Sequence, residues 1–118
     1  MAGAAGQDLI VFTKAYDFTV WAMNHTVKFP KSARFSVAAR LENRLLDLIE
    51  AIVAANQARD KNPELAAADS ALGSIRILVR LSKDMRFINI RSYEHAAGRL
   101  DKIGRLIGGW IRRQRRTS

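Results

Sequence analysis

The side chains of this sequence that could do chemistry are mainly cationic, and they are concentrated in its second half. Arg76, Arg80 and Lys83 stand at positions i, i+4 and i+7, which places them along one side of a helix. Such a row suits contact with phosphates or acidic side chains, because each guanidinium can engage two oxygens and stays charged at physiological pH. The spacing therefore indicates a binding function.

Further cations extend this basic region. Arg86 follows the row directly, and Arg105 and Arg112 share one face of the next predicted helix. A neighbouring face of that helix carries three more cations, which are Arg99, Lys102 and Arg113. The segment RRQRR at 112–116 adds a basic end.

The net charge of +9 is unevenly distributed over the 118 residues. Residues 1–70 hold eight Lys/Arg and eight Asp/Glu, whereas residues 71–118 hold twelve and three. This excess attracts nucleic acid or an acidic protein surface, although a solvated face without a specific partner would look the same. No helix-turn-helix, zinc finger or aromatic ribonucleoprotein motif is present, so we expect binding to the nucleic-acid backbone with little sequence preference.

Other residue types give little sign of an active site or a metal centre. Di-metal bundles need Glu-x-x-His pairs, and both His25 and His95 lack a glutamate three residues before them. Asp47 and Glu50 are placed for helical charge pairs rather than for acid/base catalysis. The glycines of the last helix do not form a phosphate loop and suggest close helix packing. We therefore predict a non-enzymatic protein without metal or cofactor.

Length and composition favour one helical domain. A chain of 118 residues with 48% hydrophobic residues can form a single core, and no apolar run is long enough to span a membrane. The absence of cysteine fits a reducing cytoplasm, where we expect the protein to reside without a membrane partner. The first seven residues are predicted to be a flexible start rather than a signal peptide.

Hydrophobic periodicity predicts four helices, and short connections between them imply an all-α, antiparallel up-down-up-down four-helix bundle over residues 8–113. Pro30 within FPKSARF breaks the chain between the first two, and the N-caps are predicted to be Ser32, Asn62 and Ser92. The predicted helices cover about 8–28, 33–60, 63–86 and 92–113, followed by a basic tail at 114–118.

The predicted core stripes follow spacings of three and four residues. That of the first helix consists of Leu9, Phe12, Tyr16, Val20, Met23 and Val27. Those of the next two consist of Ala38, Leu41, Leu45, Leu48 and Ile52, and of Leu65, Ala68, Leu72, Ile75, Val79 and Ser82. The last consists of Tyr93, Ala97, Leu100, Ile103, Ile107 and Trp110. Surplus apolar residues on the first two helices (Phe18, Trp21, Leu46 and Val53) predict a second buried surface, which self-association would supply.

Several segments together resemble one family. KFPKSARFSVAARLENRLLDLIEAI, ARDK, IRILVRLSKDMRFINIRSYEHAAGRLDKIG and IGGWIRR are similar, in that order, to the accessory variability determinant (Avd) proteins of diversity-generating retroelements. The likeness spans about residues 9–113. Its most specific parts are FP-x3-RF, RLENRLLDL, RSYEHA and GRLIGGWI.

The resemblance implies a homopentameric barrel of four-helix bundles with a basic surface that binds RNA and DNA. It also implies association with the element's reverse transcriptase, a separate chain, in support of mutagenic retrohoming, in which a template RNA is copied into altered cDNA. Carried over by charge, the expected contact residues are Arg76, Arg80, Lys83, Arg86, Arg91, Arg105 and Arg112. A related group of bundle proteins, encoded in intervening sequences of ribosomal RNA genes, leaves an alternative: a structural homo-oligomer that binds only protein.

Overall fold

The computed structural model describes the backbone of residues 2–117 and the side chains of residues 8–117. It contains four α-helices: α1 (Ala2–Thr26), α2 (Ala39–Gln57), α3 (Asn62–Asp84) and α4 (Ile90–Thr117). Helices α1 and α3 each pack against both α2 and α4, so the four helices form a ring in chain order, and residues 2–117 contain no strand. This is the predicted antiparallel four-helix bundle. Residues 1–7, predicted to be flexible, lie outside the described side chains.

Helix α4 is longer than predicted at both ends. The side-chain Oδ1 of Asn89 accepts a hydrogen bond from the backbone N–H of Ser92 at 2.8 Å, so Asn89, not Ser92, caps the helix. At the other end, the predicted basic tail is helical through Thr117. Arg115 and Arg116 lie in this last turn, where cations interact favourably with the helix dipole.

The connection between α1 and α2 is a compact corner. After Pro30 the chain forms a 3-10 turn (Lys31–Ala33) and a π-helical turn (Arg34–Ala38) that leads into α2. No side chain caps either turn or α2, so the prediction for Ser32 is wrong. Backbone bonds serve instead, as between the N–H of Ala33 and the carbonyl oxygen of Pro30.

The side chain of Lys61 stabilises the connection between α2 and α3. The Nζ of Lys61 donates to the carbonyl oxygens of Ala55 and Ala58 at 2.8 and 2.9 Å, which satisfies acceptors at the end of α2. The carboxylate of Asp60 accepts from the N–H of Asn62, which is the first residue of α3 and not its cap. Pro63 lies in the first turn, where its missing N–H has no cost.

The core confirms the predicted stripes of α2 and α3, all of whose residues are buried. In α4, Tyr93 and Ala97 are half-buried and the remaining four predicted residues are buried. For α1 the predicted stripe is wrong. The core face consists of Val11, Ala15, Phe18 and Ala22, which are at most 3% exposed.

Most of the stripe predicted as the α1 core is on the surface. Tyr16, Val20 and Val27 are 51%, 49% and 72% exposed, and on α2 Leu46 and Val53 are also exposed. Both sets flank the seam between α1 and α2, which is crossed by a hydrogen bond from Thr26 to the carboxylate of Glu42. We call this surface the α1–α2 apolar face.

None of the helices in residues 2–117 has the length and apolar character that crossing a bilayer requires.

Candidate nucleic-acid interface

An open groove of about 530 Å³ runs between α3 and α4, on the side of the bundle opposite the α1–α2 apolar face. Three cations, two carboxylates, one leucine and three glycines line it: Arg76, Arg105, Arg112, Asp69, Asp101, Leu72, Gly73, Gly104 and Gly108. We call it the arginine groove. At Gly73 on α3 an added Cβ would have no heavy atom within 4 Å, so a ligand could approach the backbone of α3 there.

Arg76 bridges the two helices across this groove. From α3, its Nη1 lies 3.4 Å from a carboxylate oxygen of Asp101, and its Nη2 donates to the carbonyl oxygen of Leu100 over 3.3 Å. The side chain is still 45% exposed, so the guanidinium faces solvent while two of its nitrogens are held by α4. An arginine held in this way can meet a phosphate with little further ordering.

Arg80 and Lys83 continue the row towards the end of α3. They share Asp84, at 4.0 Å from Arg80 Nε and 3.3 Å from Lys83 Nζ. The ammonium of Lys83 also lies 4.6 Å from the ring centre of Tyr93 on α4, a cation–π contact. A smaller pocket of about 140 Å³, lined by Arg76 and Tyr93 among others, adjoins the groove at this point. Arg76 lines both the pocket and the groove and so lies between Lys83 at one end and Arg105 and Arg112 at the other. We call Lys83, Arg80, Arg76, Arg105 and Arg112 the basic row.

Arg86 and Arg91 do not line the groove. Both are exposed near the connection between α3 and α4, beyond the end of the basic row. Of the seven predicted contact residues, the structure brings Arg76, Arg105 and Arg112 together and places the other four alongside or beyond them.

Sequence reasoning missed the acidic and glycine residues of the groove. Asp69 and Asp101 lie among the arginines and lower the local positive potential. A Cβ added at Gly104 would overlap Nη2 of Arg76, and one added at Gly108 would contact only the side chain of Arg112. Gly104 therefore makes space for the side chain of Arg76. For Gly108 and Gly109 close helix packing was the wrong interpretation, because a Cβ added at either would have no atom of another helix within 4 Å.

Two cations on the neighbouring face of α4, Arg99 and Arg113, contact α1 and not the groove. The guanidinium of Arg99 lies 5.7 Å from the ring centre of Phe18, and Arg113 lies 4.0 Å from a carboxylate oxygen of Asp8. The imidazoles of His25 and His95 both pack against Trp21, with ring centres 4.0 and 5.0 Å from the indole. These residues join α1 to α4 and lie outside the groove.

Asp47, considered above as a possible catalytic group, has a structural partner on its own helix. Arg44 lies 3.4 Å from Asp47, which confirms a helical charge pair on α2. In the described part of the chain no three His, Cys, Asp or Glu side chains come together in a group that could hold a metal ion.

The fold and the groove define the class: a four-helix-bundle protein with a basic groove and an opposite apolar face. The chain belongs to the bAvd-like family, whose family model matches residues 9–114. This match confirms the resemblance seen in the sequence motifs.

A solved structure supports the fold. The chain is similar to a protein with unknown function from the S23 ribosomal protein family of Bacteroides thetaiotaomicron VPI-5482. The two superpose with a TM-score of 0.82 at 19% identity, covering 90% of this chain and 98% of the other. No curated protein is significantly similar in sequence.

Proposed function

We propose that this protein is the non-catalytic accessory protein of a diversity-generating retroelement and that its arginine groove binds nucleic acid. The observation that carries the proposal is the convergence of Arg76, Arg105 and Arg112 from two helices on one open groove. Guanidinium groups at such a site can each engage two phosphate oxygens. The groove has no apparatus for reading bases, so the expected ligand is the backbone of template RNA or of its cDNA copy.

The reverse transcriptase of the element is the proposed protein partner. A polymerase that holds a template RNA presents phosphates beside its own surface, and we expect the basic row from Lys83 to Arg112 to contact both. In this role the bundle supports mutagenic retrohoming by bringing the enzyme and its template together.

Self-association through the α1–α2 apolar face completes the proposal, with a homopentamer as the expected state. This face carries exposed Tyr16, Val20, Val27 and Leu46, and burying it would remove apolar surface from water. Because the arginine groove lies on the opposite side of the bundle, every subunit of such an assembly would present its groove outwards. Several grooves on one particle would also strengthen binding to a long RNA by multivalency.

Charge reversal with a matched control tests the groove. The groove variant replaces Arg76, Arg105 and Arg112 by glutamate, and the control variant replaces Arg34, Arg40 and Arg59, which are exposed on other parts of the bundle. Both variants have the same net charge. We expect the groove variant to lose affinity for single-stranded RNA in a fluorescence anisotropy assay and the control to lose much less. Equal losses would mean that net charge, not the groove, determines binding.

A second function has one observation in its favour. Asp69 and Asp101 lie inside the groove, where they repel phosphate but could pair with cations of a protein surface. The chain would then be a structural oligomer that binds only protein. A reverse transcriptase complex that survives nuclease treatment, together with no RNA affinity in the free bundle, would favour this alternative.

A further inference from the structure

The guanidinium of Arg76 occupies the space that a side chain at position 104 would fill. An added Cβ at Gly104 would overlap Nη2 of Arg76 and would lie 3.4 Å from Cδ2 of Leu72, an ordinary contact. Two hydrogen-bond acceptors of α4 hold the guanidinium there, the carbonyl oxygen of Leu100 and the carboxylate of Asp101. The seat of Arg76 thus depends on the absence of a side chain at position 104.

We propose that Gly104 is a positioning residue for nucleic-acid binding, which acts by fixing Arg76 across the arginine groove. This inference rests on the proposed function. The two contacts to α4 use two of the five N–H donors of the guanidinium, which leaves three for a phosphate at the groove. Because the side chain is already ordered, a phosphate gains these donors without the entropy cost of immobilising a long side chain.

Alanine at position 104 separates positioning from folding. The overlapped atom is the far end of a flexible side chain, so Arg76 can swing away while the backbone of α4 stays in place. Alanine is also the better helix former, which favours the folded state. We therefore expect Gly104→Ala to remain helical with a melting temperature at or above that of the wild type, but with Arg76 displaced from its seat.

The matched control is Gly98→Ala. Gly98 lies on the same helix, and a Cβ added there would have no heavy atom within 4 Å. This substitution brings the same gain in helix propensity without disturbing an arginine. Both substitutions raise helix propensity equally, and neither alters the net charge. A binding loss seen with Gly104→Ala but not with Gly98→Ala therefore has another cause.

The experiment measures anisotropy of a labelled single-stranded RNA with the full chain, from low to moderate salt. We expect Arg76→Ala to weaken binding roughly tenfold, the value of one charge-assisted hydrogen bond, and Gly104→Ala to weaken it between about threefold and tenfold. The slope of log affinity against log salt should become shallower by about 0.7 in both, as for one lost phosphate contact on a single strand. Gly98→Ala should match the wild type in affinity and slope.

The double variant decides whether Gly104 acts through Arg76. If it does, Arg76→Ala combined with Gly104→Ala binds no more weakly than Arg76→Ala alone, because the guanidinium that the added Cβ would displace is already absent. Additive losses would overturn the inference, as would wild-type affinity for Gly104→Ala alongside weakened Arg76→Ala. A wild-type chain that binds no RNA would refute the proposed function itself and this inference with it.

A lysine variant tests the same inference if Gly104→Ala does not fold. Arg76→Lys keeps the charge but loses the planar fork that reaches both Leu100 and Asp101. We expect it to weaken RNA binding by at least threefold, whereas Arg40→Lys, at an exposed side chain on α2 outside the groove, should change affinity by less than about twofold. Equal behaviour of the two lysine variants would contradict a special seat for Arg76.

Discussion

The backbone N–H of Phe87 donates to the carbonyl oxygen of Ser82 over 2.8 Å, across the end of α3. Arg86 lies within this turn in the left-handed conformation, with φ of 63°, and its own N–H donates to the carbonyl oxygen of Lys83. The two bonds form a Schellman motif, in which glycine usually holds the left-handed position. An arginine there is strained, because its Cβ crowds the following carbonyl group.

Replacing Arg86 by glycine should therefore stabilise the bundle. We expect Arg86→Gly to raise the free energy of unfolding by roughly 0.5 to 1 kcal/mol in chemical denaturation, after allowance for the greater freedom of glycine in the unfolded chain. The adjacent Met85 is right-handed, with φ of −81°, so Met85→Gly should lower stability instead. A loss of stability in Arg86→Gly would show that contacts of the arginine side chain outweigh its strain.

The stripes of α2 and α3 could be predicted because each of these helices has one apolar arc and an opposite polar face. Helix α1 has apolar residues on both sides, and periodicity alone cannot say which stripe faces the core. For this reason Val20 was predicted to face the core of the bundle and Phe18 to lie outside it, whereas in the structure Phe18 is buried and Val20 is exposed. The buried face also carries the alanines at 15 and 22, and its choice depends on how α1 packs against α2 and α4.

The cations of the groove were predictable one helix at a time, as the rows containing Arg76 and Arg105 show. That the cations of the two helices line the same groove could not be predicted, because this depends on how α3 and α4 are aligned along their axes. The pairing of Arg76 with Asp101 and its seat over Gly104 are properties of that alignment. The cap at Asn89 was missed because Asn89 and Ser92 are equally good N-cap residues, and the sequence alone does not show which of them begins the helix.

The buried carboxyl group of Asp8 should make stability depend on pH. Burial raises its pKa above the usual value, although Arg113 and Lys61 pull it in the other direction. One of its oxygens has no hydrogen-bond partner, and its nearest cation, Arg113, lies 4.0 Å away. Because the folded state holds the proton more tightly, this group favours folding at low pH, and the benefit is lost as pH rises from the ordinary value near 3.8 through the folded-state pKa.

Asp8→Asn removes this titration. We expect the free energy of unfolding of the variant, relative to the wild type, to increase as pH is raised from about 3 to about 6 in urea denaturation series. A relative stability that falls over this range would mean that attraction to Arg113 and Lys61 outweighs burial.

The two phenylalanines of FPKSARF should differ sharply in their contribution to stability. Phe29 is 8% exposed, and its ring centre lies 5.2 Å from that of Phe87, whereas Phe35 is 90% exposed. We expect Phe29→Ala to cost about 3 kcal/mol and Phe35→Ala to change the free energy of unfolding by about 0.5 kcal/mol or less. Similar losses at the two positions would show that Phe35 is buried by a contact between chains.

A charge placed in the α1–α2 apolar face should disrupt self-association. We expect Val20→Glu combined with Leu46→Glu to yield monomers in multi-angle light scattering, since both side chains are about half exposed and border the same seam. Ile77→Glu is the control, because Ile77 is 70% exposed on α3, away from this face. A wild-type chain that is itself monomeric would remove the homo-oligomer from the proposed function.

The salt dependence of RNA binding tests the central proposal most directly. If RNA binds in the groove, the groove arginines release counterions from its phosphates, whereas non-specific attraction would involve all exposed cations equally. For the wild type we predict that log affinity falls steeply with log salt concentration. The variant with glutamate at 76, 105 and 112 should show a slope shallower by about 2, as three contacts are lost, whereas the matched variant at 34, 40 and 59 should keep nearly the wild-type slope. A flat dependence for the wild type, or the same slope in both variants, would contradict binding of nucleic acid in the arginine groove.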